Sequence, residues 1–533
     1  MMRLSVLARL SLAALAAAAC QPQTPAPAPP GEGTLVVMLV VDQLRPDLLH
    51  DYDTLYTGGL RRLLDEGFRF TSATHDHAST ETAPGHTTLA TGVYPTRHGI
   101  VGNTWFVRDG DGWRGVYSMA DPESPILGHP EMSGRSAASI WRPGLADWIV
   151  ERDGDARVVS ISKKDRAAIG LAALARGEVY WLAGEAGVFV TSTYYRGDYP
   201  GWITDFNQRV MPEIYADTLW QSIVPPEARA LTRPDTSRWE LDGVHSAFPH
   251  RPADTGDEGS AEGHNLWRFD YTPFPDRAVV ELTMEAIRAL DLGRRGTVDY
   301  LGVALSQVDL VGHRFGPGSR EQLDNLLRLD AELGRLLDFF DEAVGPGRWL
   351  LAFSSDHGVL EIPEHLAEQG VPAERLNRAH RQQLLDAIQA GMVAWTGQEP
   401  VEESIERSVA ALPFVAGAYT YADVESATPP DSFAALMAKS HSRERAVDLA
   451  ERWGVYVRYQ PNFLTWSAAP ATHGSPYYYD RHVPLIFLGA GIAPGVSDER
   501  VATVDAAPTL AGLAGVAAPG DLDGRSLEPL LSR

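Results

Sequence analysis

The sequence predicts an α/β protein: a doubly wound, mostly parallel sheet sandwiched by helices, with two insertions forming a cap. Two observations carry this prediction. Short aliphatic runs such as Thr34 to Val41 (TLVVMLVV) are β-branched, continuous and too short to cross a membrane, which is how strands buried on both faces of a parallel sheet read. These runs alternate with helical stretches, and several end at an acidic residue. Ligands of open α/β sheets bind at the carboxyl ends of strands, so those acids mark one edge as the site.

In chain order, the first strand ends at Asp42. A helix including Gly59 to Glu66 and a strand at Phe68 to Ala73 follow, and then Thr82-Ala83-Pro84-Gly85-His86-Thr87-Thr88. Proline is tolerated in the first helical turn, where its missing N–H has no partner to lose, so Thr82 is expected at or just before a helix N-terminus. Free backbone N–H groups there favour an anion. On its own such a threonine is an ordinary helix cap. Residues 92–103 are rich in turn formers.

From about residue 110 to 275 the pattern loses periodicity and gains Trp, Tyr, Pro and Asp. This is read as the first cap insertion, containing a short strand at Val158 to Ile161 and a hairpin of Val179 to Ala183 with Val188 to Tyr195. Regular texture returns with a helix from Asp276 to Leu292, a strand from Tyr300 to Val308, a long helix from Arg320 to Ala343 and a strand from Trp349 to Ser354. Residues 361–459 read as a second, helical insertion with an amphipathic run from His380 to Trp395. The sheet resumes at Val483 to Leu488, and a last helix covers Ala506 to Gly515. The catalytic domain is thus 34–533, with cap insertions at about 110–275 and 361–459.

The 533 residues carry 70 acidic and 46 basic side chains, a formal charge of -24. A general basic surface for nucleic acid is therefore excluded as a binding mode, and an anionic substrate needs a local basic patch. The single cysteine, Cys20, excludes disulfides within the chain and thiolate zinc sites. Its surroundings have a different meaning. Two arginines within residues 1–9 precede an apolar run, Leu10 to Ala19, that ends in small residues; about ten such residues suit a signal peptide and not a membrane span. Residues 1–19 are read as a signal peptide. Cys20 after Ala17-Ala18-Ala19 resembles a bacterial lipobox, although the usual leucine three residues before the cysteine is Ala17. Residues 20–33, with five prolines between Gln21 and Gly33, read as an extended tether. The expectation is an exported protein, periplasmic or held at the outer membrane by acylated Cys20, touching the membrane only through that anchor.

Four polar clusters fall at strand ends or in loops: Asp42; Asp309 with His313; Asp356 with His357 and Gly358; and His473 in Thr472-His473-Gly474-Ser475-Pro476-Tyr477. Singly, each is an ordinary turn former. Together they supply three carboxylates and three imidazoles, enough for two metal ions. Mixed oxygen and nitrogen donors suit zinc ahead of manganese or magnesium. Positive charge for phosphoryl oxygens is offered by Ser162-Lys163-Lys164-Asp165-Arg166. In an extended segment Lys164 and Arg166 share a side and Lys163 points away. Asn103 is placed to donate an amide hydrogen bond to the same oxygens.

With these residues in hand, the chain from Leu35 to Leu527 resembles the alkaline phosphatase superfamily, most closely the PafA-type monoesterases, whose core is related to nucleotide pyrophosphatase/phosphodiesterases. The resemblance implies that Thr82 is the nucleophile and that Asn103, Lys164 and Arg166 bind phosphate. It also implies two zinc ions, one held by Asp309, His313 and His473, the other by Asp42, Asp356 and His357 with Thr82 completing the set. The implied activity is hydrolysis of small-molecule phosphate monoesters through a phosphothreonine intermediate. Secondary diesterase activity is expected beside the monoesterase; a phosphodiesterase or nucleotide pyrophosphatase on the same bimetal core is the alternative, and a non-catalytic surface lipoprotein is a minor one. Sulfatase-type chemistry is disfavoured, since its nucleophile is made from Cys or Ser in a C/S-x-P-x-R context that Thr82-Ala83-Pro84-Gly85 does not match.

Overall fold

The computed structural model describes residues 34–531 apart from 217–218, 242, 244, 251–268 and 466. The signal, the tether and Cys20 lie outside the described residues. The core is a nine-stranded sheet, in spatial order Gly495–Ala502, Phe68–Thr74, Leu485–Gly489, Trp349–Ser354, Leu35–Val41, Asp299–Leu305, Val158–Ser162, Glu178–Ala183 and Val188–Val190. All neighbours pair in parallel except Leu485–Gly489, which runs antiparallel to both its neighbours, and the edge strand Val188–Val190.

The central strand shows why its sequence lacks alternation. All seven residues of Leu35–Val41 are buried. Leu35, Val37, Leu39 and Val41 enter one hydrophobic cluster, and Val36, Met38 and Val40 enter the other. Side chains alternate across a strand, so a strand covered on both faces must be apolar at every position. One face is covered by the helices Gly59–Glu66, Phe274–Leu290 and Arg320–Phe339, the other by Thr82–Thr91, Leu145–Arg152, Asp165–Ala172 and Ala506–Leu513. Each fully buried aliphatic side chain contributes about 1.5–3 kcal/mol.

Register sets the site. Val41 lies opposite Leu305, Val40 opposite Ser354, and Ala304 opposite Ser162. Four adjacent parallel strands therefore end at one level, and the chain leaves them at Asp42, Ser306, Ser355 and Lys163.

Several sequence expectations change. The strands Val158–Ser162, Glu178–Ala183 and Val188–Val190 belong to the main sheet, so the first insertion is interrupted by core structure. The second strand of the expected hairpin stops at Val190 and not Tyr195. The strand expected to reach Val308 stops at Leu305, and Val308 and Asp309 lie in the helix Gln307–Phe315. The long helix ends at Phe339, followed by a π-helical turn at Phe340–Val344. The second insertion is not purely helical: Arg378–Ala394 and Val401–Ala410 pack with an antiparallel pair, Val415–Thr420 and Val455–Tyr459, around Leu384, Ile405 and Phe414. The hairpin Thr104–Asp109 with Gly112–Tyr117 meets this insertion where Phe106 and Ala446 exchange two backbone hydrogen bonds, at 2.7 and 3.0 Å.

Candidate active site

The sequence-predicted residues converge at the strand ends. Thr82 is buried as the first residue of the helix Thr82–Thr91, after Glu81 in extended conformation. That helix is buried at all ten positions although its composition is poor in strong helix formers. Its threonines return hydrogen bonds to the helix backbone, Thr87 Oγ1 to the Ala83 carbonyl and Thr91 Oγ1 to the Thr87 carbonyl.

Asp309 and His313 sit one helical turn apart on Gln307–Phe315, with His313 Nε2 3.1 Å from Asp309 Oδ1. His473 Nε2 approaches the same oxygen at 3.5 Å. The rings of His357 and His473 stack at 3.5 Å between centroids, so the two candidate ligand groups adjoin. His313 Nδ1 donates to the Ala471 carbonyl, His473 Nδ1 to the Thr80 carbonyl and His357 Nδ1 to the Gly358 carbonyl, at 2.7, 2.7 and 2.9 Å. Each imidazole is thus fixed with Nε2 turned inward, the arrangement in which backbone carbonyls orient metal-ligating histidines.

Of the buried polar atoms that have no hydrogen-bond partner, three converge here: Asp42 Oδ1, Asp356 Oδ2 and His357 Nε2. They face one another, His357 Nε2 lying 3.4 Å from Asp42 Oδ1 and 3.3 Å from Asp356 Oδ2. Unsatisfied acceptors in a dry interior are costly, and convergence of this donor set fits a divalent cation. Among the described residues, two groups of three bring ligand atoms within 4.8 Å of one another, Asp309–His313–His473 and Asp42–Asp309–His357. Asp309 is therefore shared between the two, and Asp356 closes on the second group through His357. Burial keeps His357 well below the usual histidine range, and hence neutral, as a metal ligand must be. Burial and the Asp356 carboxylate push Asp42 well above the ordinary range.

The cations arrive differently from expectation. Lys164 precedes the helix Asp165–Ala172 and Arg166 lies inside its first turn, so they share no extended segment. Both face the site nonetheless. Lys164 Nζ bridges Asp42 Oδ2 and Asp309 Oδ2 at 2.5 and 2.6 Å. Arg166 Nη2 stands 3.4 Å from Thr82 Oγ1, and its buried Nε has no partner. Lys163 points away, to Asp270 at 2.8 Å. Asn103 Oδ1 accepts from the Ala83 N–H at 2.8 Å, and its own N–H donates to Glu81 Oε2 at 2.6 Å. With the carbonyl oxygen engaged, the side-chain NH2 of Asn103 is left to donate.

Three residues that sequence reasoning missed complete the frame. Gln43, buried at φ 67°, donates from Nε2 to Asp309 Oδ1 at 2.6 Å and from its backbone N–H to Asp356 Oδ1 at 3.1 Å, tying the two groups together. His86 Nδ1 lies 2.9 Å from the Thr82 carbonyl and 3.2 Å from Asp356 Oδ2. Glu81 holds Asn103. Spacing of four residues from Thr82 on a helix was the available signal for His86; for Gln43 no sequence signal existed.

A threonine at a buried helix start, flanked by two cations and a cradle of carboxylates and imidazoles at parallel strand ends, belongs to the metal-dependent phosphoester hydrolases in its architecture. The chain is a member of the type I phosphodiesterase / nucleotide pyrophosphatase family, whose profile matches residues 36–461. It is 28% identical over 529 residues to alkaline phosphatase PafA of Elizabethkingia meningoseptica, covering 94% of each chain. It is 30% identical over 537 residues to alkaline phosphatase PhoK of Sphingomonas sp, covering 93% of this chain and 90% of the relative. The crystal structure of PafA superposes with a TM-score of 0.84 at 26% identity, covering 95% of this chain and 99% of that one.

Proposed function

We propose that this protein is an exported alkaline phosphatase that hydrolyses phosphate monoesters through a phosphothreonine intermediate on Thr82, using two zinc ions. The observation that carries the reading is the pair of cations turned into the site, Arg166 Nη2 at 3.4 Å from Thr82 Oγ1 and the buried Lys164 Nζ over Asp42 and Asp309. A monoester dianion carries one more charge than a diester, and only the monoester makes full use of both.

Asp309, His313 and His473 would hold one ion, and Asp42, Asp356, His357 and Thr82 the other. When bound, such ions supply Lewis-acid stabilisation of an ionised threonine oxygen and of the departing alcohol oxygen. Thr82 Oγ gives its proton to solvent and bonds to phosphorus as the phosphorus–alcohol bond breaks; the alcohol leaves and takes a proton from solvent. Water then attacks the phosphothreonine, the bond to Thr82 Oγ breaks, a proton returns to Thr82 Oγ, and inorganic phosphate departs. Asn103 and Arg166 donate hydrogen bonds to the equatorial oxygens, where phosphoryl transfer concentrates its charge, and Lys164 adds its field. His86 and Gln43 position Thr82 and the carboxylates. The two insertions form the cap, with the hairpin that leads into the first meeting the second at Phe106 and Ala446. Export is supported by the signal-like residues 1–19, with Cys20 as the acylation site. No helix among the described residues is long and apolar enough to cross a membrane.

The family also contains phosphodiesterases, so the deciding experiment compares kcat/KM of the zinc-reconstituted protein at alkaline pH on an aryl phosphate and on the matching aryl methyl phosphate. A large preference for the monoester is the expected result. A preference for the diester moves the protein to the phosphodiesterase branch.

A further inference from the structure

Between the loop that carries His473 and the second insertion lies a cavity of about 280 Å³, close to the lower end of the ~300–1,000 Å³ usual for small-ligand sites. Two residues of the site form part of its wall: Glu81, the residue before Thr82, and His473, a ligand of the ion that would take up charge on the departing alcohol oxygen. The side chains lining it are unlike those around Arg166. Glu81, Asp448, Glu451 and Asp480 contribute four carboxyl groups, and no lysine or arginine appears among the described residues of the wall.

Neither Asp448 nor Glu451 forms an ion pair among the described residues. Glu451 is only 8% exposed, and its carboxylate accepts from the Val447 N–H at 2.7 Å. Asp480 gives Oδ2 to the Ser475 N–H and hydroxyl, while its buried Oδ1 has no hydrogen-bond partner. Burial, then the neighbouring Asp448 and Glu81, push the Glu451 carboxyl up to about 8. A buried carboxylate without a counter-charge is costly, and a cation in the cavity would relieve the cost. The acids do not chelate: the two groups of three ligand atoms within 4.8 Å both belong to the metal cradle. An organic cation fits better than a metal ion, because the wall also carries the aromatic side chains Tyr456, Tyr459, Phe463 and Tyr477. The Tyr477 hydroxyl donates to the Tyr459 carbonyl and the Tyr459 hydroxyl to Asp448, at 2.6 and 3.0 Å. Ring faces near carboxylates are a recurring receptor for ammonium groups.

Building on the phosphatase reading above, we propose that the site takes phosphate monoesters of alcohols that carry a positive charge, the phosphoryl group lying against Arg166 and Lys164 and the ammonium end entering the cavity of Glu81, Asp448 and Glu451. The polarity of the two regions matches such a zwitterion: cations surround the phosphoryl position, and carboxylates and aromatic rings lie on the side where the alcohol leaves. A neutral alcohol of the same shape leaves those carboxylates without a counter-charge.

The test uses the full-length, zinc-loaded enzyme with choline phosphate and 3,3-dimethylbutyl phosphate, which differ only by nitrogen in place of carbon. The expected kcat/KM ratio favours choline phosphate by at least about tenfold, as buried polar groups discriminate against partners that cannot satisfy them. In the double variant Asp448→Asn/Glu451→Gln the ratio falls towards one, and a ratio within one preparation does not depend on how much of the protein is folded. A second readout is direct: choline chloride titrated into the wild type by calorimetry shows binding that the double variant loses. A ratio near one in the wild type, with 4-nitrophenyl phosphate readily hydrolysed, overturns this inference and leaves the phosphatase reading intact. Hydrolysis of none of the three esters overturns both.

Discussion

Gly85 and Asp356 touch backbone to backbone. A Cβ built on Gly85 would stand 2.2 Å from the Asp356 carbonyl oxygen and 2.7 Å from its Cβ. The helix that carries Thr82 can lie against the strand end that carries Asp356 and His357 only because residue 85 has no side chain. Gly85→Ala must push them apart, with an overpacking cost of about 1–3 kcal/mol. The expected outcome is a loss of about 100-fold in kcat/KM, since small displacements of reacting groups cost that much. A variant with wild-type kinetics would show that Thr82 and Asp356 need not be held in contact.

Thr82→Ala removes the proposed nucleophile and little packing. It should fold normally, retain its metal by elemental analysis, and lose at least about 10³-fold in kcat, the scale seen when a nucleophile is deleted from a catalytic constellation. Near-normal turnover would end the assignment.

Arg166→Ala should cost about 10²–10³-fold on a monoester and clearly less on a diester. Lys164→Ala has a second effect. In metal-free protein its ammonium is the partner of both Asp42 and Asp309, so its loss leaves buried carboxylates uncompensated at a cost of about 3–5 kcal/mol. Chelator-treated Lys164→Ala should therefore melt well below chelator-treated wild type. Zinc should narrow that gap; an equal gap with and without zinc would contradict the reading of Lys164 as a neighbour of the metal cradle.

Metal removal should abolish turnover and lower the melting temperature, and zinc should restore both. Binding to the folded state alone stabilises by RT ln(1 + [L]/Kd), about 2.7 kcal/mol at a hundredfold excess over Kd. Unchanged melting after exhaustive chelation would speak against a metal in the cradle of Asp42, Asp356 and His357.

Glu451 gives a pH dependence. Its carboxyl titrates near 4.5 when exposed and near 8 in the folded protein, mainly because it is buried and secondarily because of Asp448. A raised acid pKa means the folded state holds the proton longer, so the stability it contributes is present below about pH 4.5 and is lost as pH rises to about 8. Glu451→Gln should leave the melting temperature nearly unchanged at low pH and raise it by a degree or more above pH 8. An equal shift at both ends of the range would rule out titration of Glu451 as the cause.

Much of this architecture could be read from residues. Leu35–Val41 and Trp349–Ser354 were legible because burial on both faces leaves an unbroken apolar run. The site was legible because its acids follow those runs, although Asp309 proved to ride on a helix and not on a strand end. The edge strand Gly495–Ala502 was not legible: GVSDERVA is largely exposed and carries the charges an edge tolerates. Nor was the direction of Leu485–Gly489, because an antiparallel strand in the middle of a covered sheet is as apolar as a parallel one. The placement of Glu178–Ala183 in the core and not in an insertion depended on pairing with Val158–Ser162, a contact between segments that no local pattern encodes. Gln43 escaped for a related reason, since its partners Asp356 and Asp309 are 313 and 266 residues away.

Those separations also order events in the life of the chain. Apart from the helical pair Asp309 and His313, the candidate donors come from distant segments and meet only when the strands, the helix Gln307–Phe315 and the His473 loop are packed together, so an emerging or half-threaded polypeptide carries no complete cradle. A chain severed anywhere between Gln43 and Asp356 and allowed to drift apart would be as indifferent to zinc as a random coil of the same composition. Ion capture therefore becomes the last act of assembly and reports that the whole sheet has closed, whichever side of a membrane that closure takes place on.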